Sequence, residues 1–460
     1  MKEKKLNIAS TENDILPYRE QGFAGRVTYN FDKRYFAECD LGYNGSENFA
    51  KGHRWGFFPS VAVGYMISNE AFFEPLKKIV NTFKLRASYG LAGNDYLDSR
   101  FPYLTTVNMS VGTGWYVGSG FSQVYGPQIS FYGNGGATWE KAKKFNCGVD
   151  IKILNDLSLT ADFFSERRTG IFMQRASLPS TVGLSGVTPY GNVGKVNKHG
   201  IDLSAEYNHV ANKNFFYTLR GTLTYSRNIV KNIDEPPVLT NPYTSKVGHP
   251  IGTYYGLVAD GLFRSKEEIA NNPKQNFGNY SVGDIKYRDL NGDGVVDNND
   301  ITAIGNPYDP EIIYGFGGSF KYHRIDFSVM FQGAGRLSLY MHGMDPFCDS
   351  SHFGYNIAQY IVDNHYSVDN PDANALYPRL TSVFNNNNVQ ASTHWIKNAN
   401  YLRLKSIEVG YTYKSFRFSL SGYNLFYLSP FKYWDPEKGG GNGLSYPIQR
   451  SVKLGVQYEF

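Results

Sequence analysis

One pattern recurs along this chain more than any other, a strict alternation of apolar and polar residues. In "FKLRASYGL" (83–91), Phe83, Leu85, Ala87, Tyr89 and Leu91 point one way, and Lys84, Arg86, Ser88 and Gly90 the other. In "YTLRGTLTYSRN" (217–228), Tyr217, Leu219, Leu223 and Tyr225 oppose Thr218, Arg220, Thr222, Thr224 and Ser226. "GFAGRVTYNF" (22–31) repeats the pattern, as do 145–153, 157–163, 201–207, 325–331, 416–422 and 451–460. A period of two fits an extended strand with one apolar and one polar face, and it does not fit a helix. The fold class expected is therefore all-β.

The pattern yields on the order of 14 segments, many about ten residues long, which is the length that crosses a bilayer when tilted. A soluble sandwich would favour strands of about five or six residues. The connections alternate between short, as in "NFDKRY" (30–35) and "LNDL" (154–157), and long, as in 92–137 and 338–395. Short turns and long loops of this kind mark a transmembrane antiparallel β-barrel. Composition agrees: 36 Tyr, 32 Phe and 48 Gly stand in a chain of mean hydropathy −0.40, which suits alternating strands better than helices.

Several classes drop out. The net charge of +5 over 460 residues is small and scattered, with no basic patch interleaved with aromatics, so no nucleic-acid partner is expected. No Walker-type loop and no run of 18 apolar residues exists. The first residues, "MKEKKLNIASTENDILPYREQ", have no apolar stretch behind their basic tip and do not read as a signal peptide. Cys39, Cys147 and Cys348 are too far apart for a disulfide framework or metal cluster. Cys39 and Cys147 alternate with apolar neighbours and read as small apolar residues on strand faces.

The last strand, "SVKLGVQYEF", places Val452, Leu454, Val456, Tyr458 and Phe460 on one face. The plain reading is a strand that ends in Phe. The sharper one, favoured by the other segments, makes Phe460 the C-terminal assembly signal of an outer-membrane barrel, read by the barrel assembly machinery.

"DLNGDGVVDNND" (289–300) breaks the pattern. Asp289, Asn291, Asp293, Asp297 and Asp300 fall at positions 1, 3, 5, 9 and 12 of an EF-hand-like loop, Gly294 at position 6 and Val295, offering its carbonyl, at position 7. These residues are the candidate Ca2+ ligands. The alternative is an Asp/Asn/Gly-rich turn without an ion. Just before it, "RSKEEIANN" (264–272) predicts a helix, with Ser265 and Glu268 as a capping box. The segment 264–306 is expected to be a loop insertion too polar to fold by burial, cross-linked by the ion.

Trp115, Tyr116, Phe121, Tyr125, Phe131 and Tyr132, with Trp395 and Trp434, could stack on sugar rings, but an interfacial girdle or loop packing accounts for any one of them. No catalytic residues are assigned: the nine His show no His-Glu metalloprotease spacing, and "GLSG" (183–186) is not a nucleophile elbow.

Several stretches, in order, resemble the SusC/RagA-type TonB-linked outer-membrane transporters of Bacteroidetes. They are "YREQGFAGRVTYNFDKRYFAECDLGYNGSENFAKGHRWGFFPSVAVGY", "FKLRASYGLAGND", "GNVGKVNKHGIDLS", "VGDIKYRDLNGDGVVDNNDITAIGNP", "YLRLKSIEVGYTY" and "YNLF" followed by "YWDPEKGGG". The resemblance runs from about residue 18 to the C-terminus. It implies a TonB-dependent receptor in the outer membrane, with a 22-strand barrel around an N-terminal plug. It further implies import of oligosaccharides or peptides, energy from the TonB complex and a SusD-like surface lipoprotein as lid. A calcium loop is also familiar in that family. Relative to it, the signal peptide, TonB box, plug and first strands are missing here. Residues 1–460 are thus expected to be the C-terminal part of one barrel, because about 14 strands cannot close a 22-strand wall. A smaller, self-closed barrel is the minority reading. The competing function is a secreted, calcium-stabilised glycan-binding β-protein, which would need inward-facing apolar residues.

Overall fold

The computed structural model describes residues 19–97, 100–109, 115–184, 187–236, 239, 241–348, 350, 353–354 and 356–460. Thirteen strands follow one another in chain order: β1 (Glu20–Phe31), β2 (Tyr35–Ser46), β3 (Trp55–Met66), β4 (Val80–Asn94), β5 (Glu140–Ile153), β6 (Leu157–Gln174), β7 (Tyr190–Asn212), β8 (Phe215–Asn232), β9 (Ile312–Tyr322), β10 (Ile325–Gly335), β11 (Tyr401–Tyr413), β12 (Phe416–Tyr423) and β13 (Ser451–Tyr458). With the short Tyr427–Leu428, which pairs beside β11, they make one 14-stranded sheet whose order is the chain order. The pairs from β1 to β4 and from β8 to β13 are antiparallel. Every alternating segment named above lies in one of these strands, except that 459–460 of the last one run past β13.

Several strands outrun the expected ten residues; β6 and β8 have 18 and β7 has 23. In β7 the ladder continues through "YGNVGKVNKHG", whose polar composition carries no bilayer signal but whose backbone still pairs. The short turns are built as the hairpin twist requires. Asp32 and Lys33, then Leu154 and Asn155, hold positive φ in succession, the left-handed geometry that matches the twist of the flanking strands.

The apolar faces are bare. Val27, Leu41, Phe57, Val63 and Tyr89, and likewise Leu203, Leu219, Val409, Leu420 and Leu454, are exposed. Cys147 stands exposed among them, between Phe145 and Val149, while Cys39 is half-buried opposite Val27 and Val61. The opposite faces carry ion pairs that reach across strands. Arg86 of β4 grips Asp150 of β5 at 2.7 Å and Asp162 of β6 at 3.0 Å. Arg417 of β12 joins Asp326 of β10 and Glu408 of β11. A sheet that exposes its apolar side chains and pairs its charges on the other face has lipid on one side and a wet lumen on the other. No helix among the described residues is long and apolar enough to cross a membrane.

The chain divides into two compact units. The first comprises the described residues up to 151 with 162–199 and 228–237, and the second comprises 152–161, 200–227 and 238–460. The first has a small core of Phe49, Phe58, Ala137 and Trp139. In the second, the long connections between strands fold into a substantial core of their own. Leu257, Leu262, Ile285, Tyr287 and Val296 meet Leu339, Met341, Phe347, Tyr377 and Trp395 there. This corrects the expectation that 264–306 is too polar to fold by burial. Its apolar residues are sparse along the chain, but they converge on others more than forty positions away. The connection 92–137, read as loop, holds two small hairpins, Thr106–Asn108 with Gln128–Phe131 and Trp115–Val117 with Ser122–Val124. Residues 1–18 and Ser185–Gly186 of "GLSG" lie outside the described residues.

Candidate functional site

The predicted helix forms as α1 (Lys266–Asn271), with Ser265 Oγ accepting from the Glu268 amide at 3.1 Å. The return half of the box is shifted by one residue, since the Glu268 carboxylate accepts from Arg264 N at 2.7 Å. Glu268 also takes Lys286 Nζ at 2.6 Å, and these two donors, Lys286 foremost, hold its carboxyl below the usual range. A second short helix, α2 (Gln359–Asp363), was not anticipated.

The calcium-type loop is framed differently from an EF-hand. It runs out of the strand Ile285–Tyr287 and into a 3-10 turn at Asn298–Asp300, while Val295–Val296 pairs in parallel with Lys274–Gln275. Its acidic side chains close it locally. Asp289 accepts from Gly292 N at 2.6 Å and Gly294 N at 2.9 Å. Asn291 accepts from Asp293 N and Asp293 from Val295 N, each at 2.9 Å. Gly294 has φ +86, so the sharp turn falls on the residue type that adopts it without strain. Asp300 is fully buried. One of its oxygens accepts from Leu290 N at 2.7 Å and the other from Asp297 N at 2.8 Å, tying the end of the loop to its start. Asp297 caps the 3-10 turn. Among the described residues no group of three or more acidic, His or Cys side chains is drawn together at metal-holding distance. The donor set is nonetheless all oxygen, with four carboxylates and an amide, which fits a hard cation, and each carboxylate oxygen that accepts one N–H keeps a further lone pair.

Behind the loop lies a buried polar network that the sequence did not reveal. Asp284 is fully buried; Arg379 forks onto it, with Nη2 donating to Oδ2 at 2.9 Å and Nε 2.9 Å from Oδ1. Asn388 Nδ2 donates to the same carboxylate at 2.8 Å. Gln275, 1% exposed, accepts from Tyr287 N and donates to Asn387 Oδ1. The Tyr287 phenol donates to Asn387 O at 2.7 Å, and burial pushes its pKa up. These bonds join "VGDIKY" to the run "NNNN" at 385–388. Nearby, Gly256 lies against another backbone, where an added Cβ would stand 2.3 Å from Ala391 O. Nothing in four consecutive asparagines says that Asn387 and Asn388 are buried anchors; only a partner about 100 residues away does.

A second clasp surrounds Arg403, 1% exposed on β11. It pairs with Asp435 and, at 3.0 Å, with Glu437. Tyr401 OH donates to Glu437 at 2.7 Å, and the Tyr427 ring lies 5.4 Å from the guanidinium carbon. The motifs "YLRLKSIEVGYTY" and "YWDPEKGGG" are thus two halves of one contact.

The loop aromatics split. Trp395 donates to Asn388 O within the core, and Trp434 packs edge-on against Phe431, so both serve packing. Tyr116, Phe121 and Tyr125 are exposed, and Phe131 and Tyr132 are half-buried; the Trp115 side chain lies outside the described residues. Phe460, fully exposed, sets its ring against Tyr458 just past the last ladder residue.

Long paired strands with lipid-ready apolar faces and ion-paired polar faces define an integral outer-membrane β-protein. The chain belongs to the TonB dependent receptor-like, beta-barrel family, whose model matches residues 8–425. It is 26% identical to the TonB-dependent receptor P39 of Formosa agariphila over 99% of this chain and 48% of that protein. To the TonB-dependent receptor SusC of Bacteroides thetaiotaomicron it is 22% identical, over 98% of this chain and 44% of that one. Its fold is that of the RagAB peptide transporter structure, with a TM-score of 0.74 and 22% identity over 96% of this chain and 47% of that chain. The chain thus spans about half the length of the curated relatives it matches, and it is an outer-membrane protein of a transporter and receptor family.

Proposed function

We propose that this chain forms wall and loop structure of a TonB-dependent importer that takes oligosaccharides or short peptides across the outer membrane, with a SusD-like surface lipoprotein as partner. The observation that carries the reading is the two-faced strand set, lipid-ready outside and ion-paired inside. The same exposed faces argue against a secreted glycan binder, which would turn them inward. Because the chain spans about half its relatives' length, coupling to the TonB complex is assigned to the transporter as a whole. Uptake of labelled short peptides and oligosaccharides, compared between source cells with and without this gene, tests the reading. Identical uptake of every cargo in the two strains would overturn it.

Calcium binding at Asp289, Asn291, Asp293, Val295 O, Asp297 and Asp300 belongs to the same reading. Its support is the oxygen-only donor set on a loop already closed by its own amides. The ion would offset four neighbouring carboxylates and stiffen the edge of the loop core. Calorimetric titration of the purified protein should give a saturable calcium isotherm that Asp289→Ala abolishes; an unchanged isotherm removes the site.

Phe460 is proposed as the assembly signal, since it is exposed and in phase with the apolar face of β13. A chain ending at Glu459 should reach the outer membrane in lower amount on an immunoblot. Equal amounts would return Phe460 to an ordinary terminal residue.

A further inference from the structure

Three short turns of the second unit carry cations that the sheet does not use. β7 joins β8 at 213–214, β9 joins β10 at 323–324, and β11 joins β12 at 414–415. The three turns lie along one edge. His323 N donates to Asn214 O, and Thr412 N to Arg324 O, each at 2.8 Å. Lys213, Arg324 and Lys414 are exposed, and among the described residues none of them has an ion-pair partner. Glu459 comes close in the chain path, its amide donating to Ser415 O at 2.9 Å, yet it forms no ion pair with Lys414. The arginines of the polar face are matched instead, Arg220 with Glu206 and Arg417 with Asp326 and Glu408.

Two of these cations share one ring. The Arg324 guanidinium carbon stands 5.8 Å, and Lys414 Nζ 5.6 Å, from the centre of the Tyr413 ring. Tyr413 is exposed and in phase with Val409 and Tyr411, on the apolar face. The ring attracts each cation. It carries no net charge, so it leaves the repulsion between the two uncompensated. The turn geometry does not call for a lysine either, since Lys414 holds φ +52, where Gly or Asn is more at ease. Directly beside this corner the apolar face continues through Ile325, Phe416 and Phe418, all exposed.

We infer that Arg324 and Lys414 form a site for the phosphate of an anionic glycerophospholipid, whose acyl chains lie along Ile325, Tyr411 and Phe418. Arginine suits two phosphate oxygens at once, and lysine adds a point charge. Short turns of outer-membrane barrels face the periplasm, so the lipid belongs to that leaflet. A zwitterionic lipid brings its own cation to the corner and gains less from the pair. A free phosphate would use the two cations and leave the apolar wall bare. The inference rests on the membrane and importer reading above and adds the lipid that its wall selects.

The test is native mass spectrometry of the purified full chain in detergent, titrated with dioleoyl phosphatidylglycerol and dioleoyl phosphatidylcholine. Phosphatidylglycerol should bind about tenfold or more tightly, since each cation at a membrane surface is worth about fivefold. Arg324→Gln with Lys414→Gln should cut that preference about fivefold or more. Lys321→Gln with Lys453→Gln removes two cations opposite Phe216 and Ser421, on the polar face, and should leave the preference unchanged. Inorganic phosphate at millimolar concentration should not displace the lipid. Equal binding of the two lipids, an unchanged preference without Arg324 and Lys414, an equal loss in the polar-face variant, or displacement by inorganic phosphate would each overturn the inference. The comparison of lipids uses the unaltered protein, so that arm stands even if a variant folds poorly. Selective lipid binding without any cargo uptake would keep the site and remove the importer; uptake with equal lipid binding would do the reverse.

Discussion

Replacing Arg403 by Met should cost about 3 kcal/mol and loosen residues 430–443 from β11. The guanidinium is 1% exposed, while Asp435 and Glu437 are 13% and 20% exposed, so the acids are left largely desolvated when the cation goes. Breaking a buried pair from one side typically costs about 3–5 kcal/mol, and the partial exposure of the acids puts this case at the low end. The segment's other ties lie mostly toward its ends, where Ser429 Oγ donates to Asn400 O and Gly441 exchanges backbone bonds with Tyr340 and His342 at 2.8 and 3.0 Å, so the loosening should centre on residues 434–438, where Arg403 and Tyr401 grip Asp435 and Glu437. Hydrogen exchange in lipid should show faster exchange, strongest across 434–438, with β12 unchanged. Neutralising all three residues together, as Arg403→Met with Asp435→Asn and Glu437→Gln, should recover most of the loss, because the expense lies in the orphaned charges. An Arg403→Met protein with native exchange rates would show that the clasp holds nothing.

What could be read from the sequence follows the range of the interactions. The strands were legible because period-two alternation is local: Leu219 and Leu223 announce their face within one segment. The turn at Leu154–Asn155 and the cap at Ser265 were legible for the same reason. The loop core was not. Leu257, Tyr287 and Tyr377 stand in stretches with no sustained period that assigns them a face, and each becomes core only by meeting residues far along the chain. Arg403 looked like one more polar-face residue of β11, with no local sign that its counterions, Asp435 and Glu437, lie beyond the next strand. The six loop residues Asp289 to Asp300 sit between these cases: their spacing was readable, while the burial of Asp300 behind the loop depended on the fold.

Placing arginine at position 223 should separate the two faces of the wall more sharply than any other single change. Leu223 lies midway along β8 on the exposed apolar face, opposite Tyr314 of β9. Thr222, its neighbour, shares the other face with Arg220, which pairs with Glu206 at 3.1 Å. If the Leu223 face meets lipid, Leu223→Arg carries a charge near the middle of the apolar band. There arginine costs about 2–4 kcal/mol. Thr222→Arg adds the same side chain to a wet surface that already carries arginine, and it should be close to neutral. Urea titration of the two variants refolded in lipid vesicles measures the difference directly. In a water-soluble protein the ranking would reverse or vanish, since an exposed leucine exchanged for arginine costs little in water. Equal midpoints for Leu223→Arg and the wild type would therefore remove lipid from the outer face of β8, and with it the membrane reading on which the importer assignment depends.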